Sequence, residues 1–214
     1  MRKFYSFIVP LSLLVYSLEA NSAVDLSTLI KVTKENNPKC VEYYNYMGSV
    51  YCSTTAQNPQ PVDPQLKNYE KQNIVFDDRV WQPAWGQQSE EITAIEYVPS
   101  GDNVEQWHEL VTSQFIPGLE DSITAIQYAD SVIQQLKKSG LQSKISILEK
   151  TPDHVLLEFH ILAPENLKQD ELQLITRGSD GFYILHYAIK KEDMGEKNRA
   201  KWIENLKNSK IKLN

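Results

Sequence analysis

The stretch Glu171-Leu172-Gln173-Leu174-Ile175-Thr176-Arg177-Gly178-Ser179-Asp180-Gly181-Phe182-Tyr183-Ile184-Leu185-His186-Tyr187-Ala188-Ile189 decides the fold. Two runs rich in β-branched and aromatic residues flank a Gly-Ser-Asp-Gly turn, and glycine supplies the positive backbone angles that tight connections require, so the stretch is a β-hairpin. A regular hairpin sets Arg177 opposite Phe182 and Leu174 opposite Leu185. One face then carries Leu172, Leu174, Tyr183, Leu185 and Tyr187 and is the core side, while Gln173, Ile175, Ile184 and His186 lie on the other. Upstream, 144–149 and 154–162 have the same strand character, and with 171–176 and 182–189 they make an antiparallel meander of four strands.

The segment before the meander, 122–139, reads as a helix: Ile123, Ile126, Ala129, Ile133 and Leu136 form its inner stripe, Lys137 and Lys138 suit its C-terminal dipole, and Gly140 stops it. Asp102, with Glu105 three residues on, is a capping pattern, and Val104, Trp107, Val111 and Phe115 recur at helical spacing, so a further helix is expected there. Two strands precede it, in a region that starts at Asn73-Ile74-Val75-Phe76, passes through Trp81-Gln82-Pro83-Ala84-Trp85 and ends over 91–98. The last helix, 197–208, buries Trp202, Ile203 and Leu206. Two strands, two helices, four strands and one helix imply an α+β domain over 65–214, a mainly antiparallel sheet with helices packed on it.

The N-terminus has a different character. Arg2 and Lys3 precede an apolar run from Phe4 to Leu18, and small residues follow at Ala20 and Ala23, which is the pattern of an export signal over 1–20. The run is about 15 residues against the roughly 20 that a bilayer-spanning helix needs, so no permanent membrane anchor is expected and the protein is read as periplasmic or secreted. In an oxidising compartment Cys40 and Cys52 form a disulfide. The bridge rigidifies a segment containing Tyr43, Tyr44, Tyr46 and Tyr51, a set suited either to packing or to contact with a partner. A short helix near 24–34 and a proline-rich linker over 56–64 complete an N-terminal segment spanning 21–64.

The net charge of −6 and the 41% hydrophobic content describe a folded chain with no electrostatic reason to bind nucleic acid. No cofactor motif, metal-ligand signature, nucleophile elbow or phosphate-cradling glycine loop is found, and the cysteines are consumed by their bond. Glu158 and His160 share a strand face, and His186 lies on a neighbouring segment, so a Glu-His-His cluster is the one catalytic arrangement on offer. The alternative is a polar sheet face half exposed to solvent.

The run Glu96-Tyr97-Val98-Pro99-Ser100-Gly101, followed by Trp107-His108-Glu109-Leu110-Val111-Thr112 and Gln114, resembles a pattern in small exported bacterial proteins. The order of elements, with its terminal tryptophan helix, is similar to that of a Mog1/PsbP-like α/β/α sandwich over 73–210. That resemblance implies a binding or assembly factor and carries over no residues. The expected function is therefore that of an exported non-catalytic binding protein, contacting another protein or a small ligand through Tyr43, Tyr44, Tyr46, Tyr51, Trp81 and Trp85. A small exported hydrolase and a secreted effector acting on a host are the alternatives.

Overall fold

The computed structural model describes residues 29–33, 40, 42–46, 49–54, 65–102, 104 and 107–212, with 42–46, 49 and 53 described by their backbone alone. The export signal at 1–20, the linker at 56–64 and the start of the helix expected over 24–34 lie outside the described residues. Within that helix span the chain instead forms strand β1, Ile30–Val32. It pairs with β3, Ser49–Ser53, which in turn pairs with β2, Glu42–Tyr46, so cross-strand pairing overrides the helical reading. The Cys40–Cys52 disulfide is present, with Cα atoms 5.6 Å apart and Cys52 fully buried.

The remainder is built on seven antiparallel strands: β5 Trp81–Gln88, β6 Thr93–Pro99, β7 Glu109–Pro117, β8 Gln142–Lys150, β9 His154–Ala163, β10 Gln169–Arg177 and β11 Gly181–Ile189. Their spatial order is β5-β6-β7-β11-β10-β9-β8, so two meanders, β5 to β7 and β8 to β11, meet along the β7–β11 seam. The deciding hairpin has the expected register, Arg177 opposite Phe182 and Leu174 opposite Leu185. At Gly181 the space is also closed to a side chain, because a Cβ there would collide with the Ile116 carbonyl across the seam.

Helices cover both faces. Helix α1, Leu66–Tyr69, precedes the short strand β4, Gln72–Asn73. Helix α2, Ala125–Lys138, starts at a Thr124–Gln127 capping box and lays Ala125, Tyr128 and Ala129 on Val155, Leu157, Ile175, Phe182 and Ile184. Leu136 extends this layer onto Phe159 and Ile161. Helix α3, Glu196–Asn208, packs Trp202 and Leu206 on the opposite face against Ile95, Tyr97, Val111, Leu156, Leu172, Leu185 and Tyr187. Trp202 is fully buried, stacked 4.0 Å from Tyr187 and edge-on 5.4 Å from Trp81. Strand β12, Lys210–Ile211, then returns to pair with β4.

The helix expected from Asp102 to Phe115 is a strand instead. The spacing of four between Val111 and Phe115 fits a helix stripe, but it is also a multiple of two, so both residues share one face of β7 just as well. Central placement decided the outcome, since β7 is paired on both sides and buried on both faces.

Candidate functional site

The two faces of the sheet treat their polar residues differently. On the α3 side the buried carboxylates are met by donors. Glu70 accepts hydrogen bonds from the Tyr97 hydroxyl, the Ser113 hydroxyl and the Gln72 backbone N–H, each at 2.7 Å. Asp77 accepts from Arg79, from Trp81 Nε1 at 2.8 Å and from Lys201 at 2.9 Å. Burial works against the Asp77 charge, and these bonds overcome it, holding its pKa below the ordinary carboxylate range. Glu109 takes the other side of the Arg79 guanidinium, at 2.8 and 2.7 Å, and accepts from the Tyr187 hydroxyl. Its pKa is also lowered, again because Arg79 and Tyr187 outweigh burial.

Glu158, His160 and Asp170 lie on this α3 face and bring one ligand atom each within 4.8 Å of the others. Their cation is already present. Arg199 of α3 donates to Glu158, reaches Asp170 at 3.3 Å and bonds Asp193 at 2.8 Å. Asp170 is fully buried, accepts the Met194 N–H at 2.7 Å, and has its pKa raised by that burial. His160 donates through Nδ1 to the Glu192 carbonyl at 3.0 Å. The cluster therefore pins the entry to α3 onto β9 and β10, and a metal ion would have to displace Arg199. Sequence reading named Glu158 and His160 but missed Asp170 and Arg199, which sit 29 residues apart.

The α2 side holds a different set. Cross-strand partners in an antiparallel sheet point to the same face. Glu96 is opposite Thr112, Thr112 opposite His186, and His186 opposite Gln173, so a polar row crosses β6, β7, β11 and β10. Glu171 stands one position along β10 from the row and accepts a 2.6 Å hydrogen bond from His186 Nδ1. Leu110 and Ala188 lie along one side of the row, and Ala94, the buried Gln114 and Ile184 along the other. Trp85 closes the end at β5, opposite Glu96.

These groups are buried: Glu96 is 7% exposed and Gln173 4%. The polar face is thus enclosed rather than half exposed to solvent, as the strand pattern suggested. Two of its buried atoms have no hydrogen-bond partner among the described residues. His186 Nε2 and Gln173 Oε1 are buried without one, and the Glu96 carboxyl has only the charge of His186 for electrostatic company, so burial pushes its pKa up to about 7. Buried polar atoms are paired in the great majority of cases, so two unpaired ones facing each other on β11 and β10, with the buried Glu96 carboxyl in the same row, make this a candidate site.

The Glu158-His160-His186 cluster does not form. Glu158 and His160 are on the α3 face of β9, whereas His186 is on the α2 face of β11 with β10 between them. The hydrolase built on those three residues is withdrawn. Trp81 and Trp85 are also on opposite faces, because a bulge between Pro83 and Trp85 shifts the register. Trp81 belongs to the α3-side core, stacked 5.5 Å from Phe76, and Trp85 ends the polar row. Tyr51 is half-buried, with Lys31 Nζ 5.9 Å from its ring centre. The side chains of Tyr43, Tyr44 and Tyr46 lie outside the described residues. Glu96, Thr112, Glu171 and Gln173 were not singled out from the sequence. Their signal was present: polar residues at alternate positions on the non-core face of strands whose neighbours are apolar.

The fold and the row together define an antiparallel-sheet domain whose α3 face carries arginine-bridged carboxylates and whose α2 face carries a buried polar row. A family model matches residues 69–213, more than half of the chain, and the chain belongs to that family. The match takes in the whole seven-stranded sheet with α2 and α3, and leaves the disulfide segment outside. No curated protein matches the chain.

Proposed function

We propose that this is an exported, non-catalytic binding or assembly protein of the bacterial cell envelope or secretome, and that its family domain holds a ligand at the Glu96–Thr112–His186–Gln173 row. The observation that carries the reading is the pair of unpaired buried atoms, His186 Nε2 and Gln173 Oε1, in one row with the buried Glu96 carboxyl. A buried polar atom without a partner costs about 1–3 kcal/mol, and a ligand that supplies the partner recovers this. The resemblance of the sequence to Mog1/PsbP-like domains, which are mostly binding or assembly factors, supports the reading. The Cys40–Cys52 bond and the apolar signal at 1–20 support a periplasmic or extracellular location.

Native mass spectrometry of the protein recovered from envelope and culture medium tests the reading, comparing wild type with a His186→Ala, Gln173→Ala double variant. A co-purifying mass retained by the wild type and lost from the variant is the expected result. Recovery from the cytosol alone, or a bound mass indifferent to the double variant, would remove the proposal.

A further inference from the structure

Two buried surfaces stand outside the apolar clusters that α2 and α3 build among the described residues, and they match. The first is the part of the α2 side beyond the helix. Helix α2 lies on β8, β9 and β10 and on the Phe182–Ile184 end of β11. Past it, on β6, β7 and the other end of β11, Ala94, Val98, Leu110 and Ala188 are buried. They alternate with Ile95, Tyr97, Val111 and Tyr187 of the α3-side core, so they point away from α3. None of the four belongs to the clusters under α2 or α3.

The second surface belongs to the disulfide segment. In the small sheet β1-β3-β2, Ile30 pairs with Cys52 and Val32 with Val50, so these four share one face. Lys31 and Tyr51 take the other, with the Lys31 ammonium over the Tyr51 ring. Cys52 is fully buried, Val32 and Val50 are half-buried, and Ile30, on the edge strand, stays 46% exposed. The bond to Cys40 shields Cys52 from one direction only. A sheet of three short strands completes the burial of an apolar face by laying it on a second layer.

We infer that the disulfide sheet packs through its Ile30–Val32–Val50–Cys52 face on the Ala94–Val98–Leu110–Ala188 surface, as the second layer over β6, β7 and β11. The tether selects this occupant. Leu66 of α1 rests on Gly86 of β5, where a Cβ would stand 2.7 Å from the Leu66 Cδ2, so the chain enters the domain at its β5 edge. Between Thr54 and Gln65 the chain spans at most roughly 40 Å when extended. From β5 to β11 is three strand spacings, roughly 14 Å, and stacked sheets lie about 10 Å apart, so the tether reaches. Ala94 and Ala188 keep the surface shallow enough for sheet-on-sheet packing. The inference concerns what covers the polar row and holds whether or not the row takes a ligand.

Methyl NOE spectroscopy of the full chain, with its disulfide intact and its Ala, Ile, Leu and Val methyls labelled, tests this on the wild-type protein. NOEs from Val32 and Val50 to Val98, Leu110 and Ala188 are expected. In an isotope-filtered mixture of labelled and unlabelled chains they should arise within one chain; the same NOEs between chains would seat a second copy there and overturn the inference. Contacts of Val98, Leu110 and Ala188 confined to residues after 65 or to residues 1–20 would overturn it as well. Val50→Ala and Leu110→Ala give a second reading in denaturant unfolding. Their combined loss should be smaller than the sum of the two single losses, and additive losses would place the residues apart and sink the docking. A bound mass in native spectra without these NOEs would leave the ligand reading standing while the docking falls.

Discussion

On the α3 side of the sheet Glu70, Asp77, Glu109, Glu158 and Asp170 each accept from at least one protein donor, and four of them share Arg79 or Arg199 with another carboxylate through bonds that tie loops and helix to strands. On the α2 side, a single sheet thickness away, Glu96 is as deeply buried as Glu70 and has no hydrogen-bond donor among the described residues. The strands are the same, so secondary structure does not explain the difference. The carboxylates of the α3 face hold loops and helix to strands, whereas on the α2 face Glu96 is buried without such a bridge among the described residues.

The largest expected effect tests the closed face through its apolar centre. Trp202→Ala removes the ring stacked between Tyr187 and Trp81 and should cost about 3–5 kcal/mol in denaturant unfolding. A loss below about 1 kcal/mol would show that α3 is not what seals this face.

Glu96→Gln should move stability the other way. The folded-state pKa of Glu96 is raised from 4.5 to about 7, so the folded protein holds a proton that the unfolded chain releases. Stability is therefore lost as pH rises from about 4.5 through 7, and the loss above that window is about 3 kcal/mol. The variant should match wild type near pH 5 and exceed it by about that amount at pH 8. Parallel pH profiles for the two proteins would mean that Glu96 is solvated and the faces are not different in kind.

Glu70→Leu makes the matching cut on the paired face. It leaves the Tyr97 and Ser113 hydroxyls without their acceptor and should cost about 2 kcal/mol at pH 5 and pH 8 alike. A gain in stability would equate Glu70 with Glu96. The smallest effect belongs to the rim: Lys207 pairs with Glu149 at 2.5 Å in an exposed setting, and Lys207→Ala should change stability by less than about 0.5 kcal/mol, by thermal melting at low and high salt.

These two faces were unequally legible in the amino-acid order. The hairpin over 171–189, the existence and C-terminal stop of α2 and the tryptophan stripe of α3 are local patterns and came out in their observed places, whereas the Thr124–Gln127 cap of α2 and its buried Ala125 and Tyr128 were not read. The strand β7 did not, because Val111 and Phe115 satisfy the helical and the extended period together and only the neighbours β6 and β11 decide between them. The row was hidden for a related reason. Glu96 and Gln173 stand 77 positions apart, and their adjacency depends on β7 meeting β11. Alternation revealed which face His186 occupies but not that this face is enclosed, since enclosure depends on how elements pack rather than on any one strand.

The pairing of β12 with β4 has a consequence for the family domain as a whole. Lys210 lies opposite Asn73, and the Lys212 N–H donates to the Lys71 carbonyl at 2.9 Å, so the path of the chain through this domain closes on itself like a ring. A few residues joining 212 to 65 would permit circular permutation, with new ends opened at the Ser179-Asp180 turn and no strand pairing of the sheet cut. The same geometry makes the domain a cassette, able to be spliced into a surface loop of a carrier protein because it enters and leaves at one point.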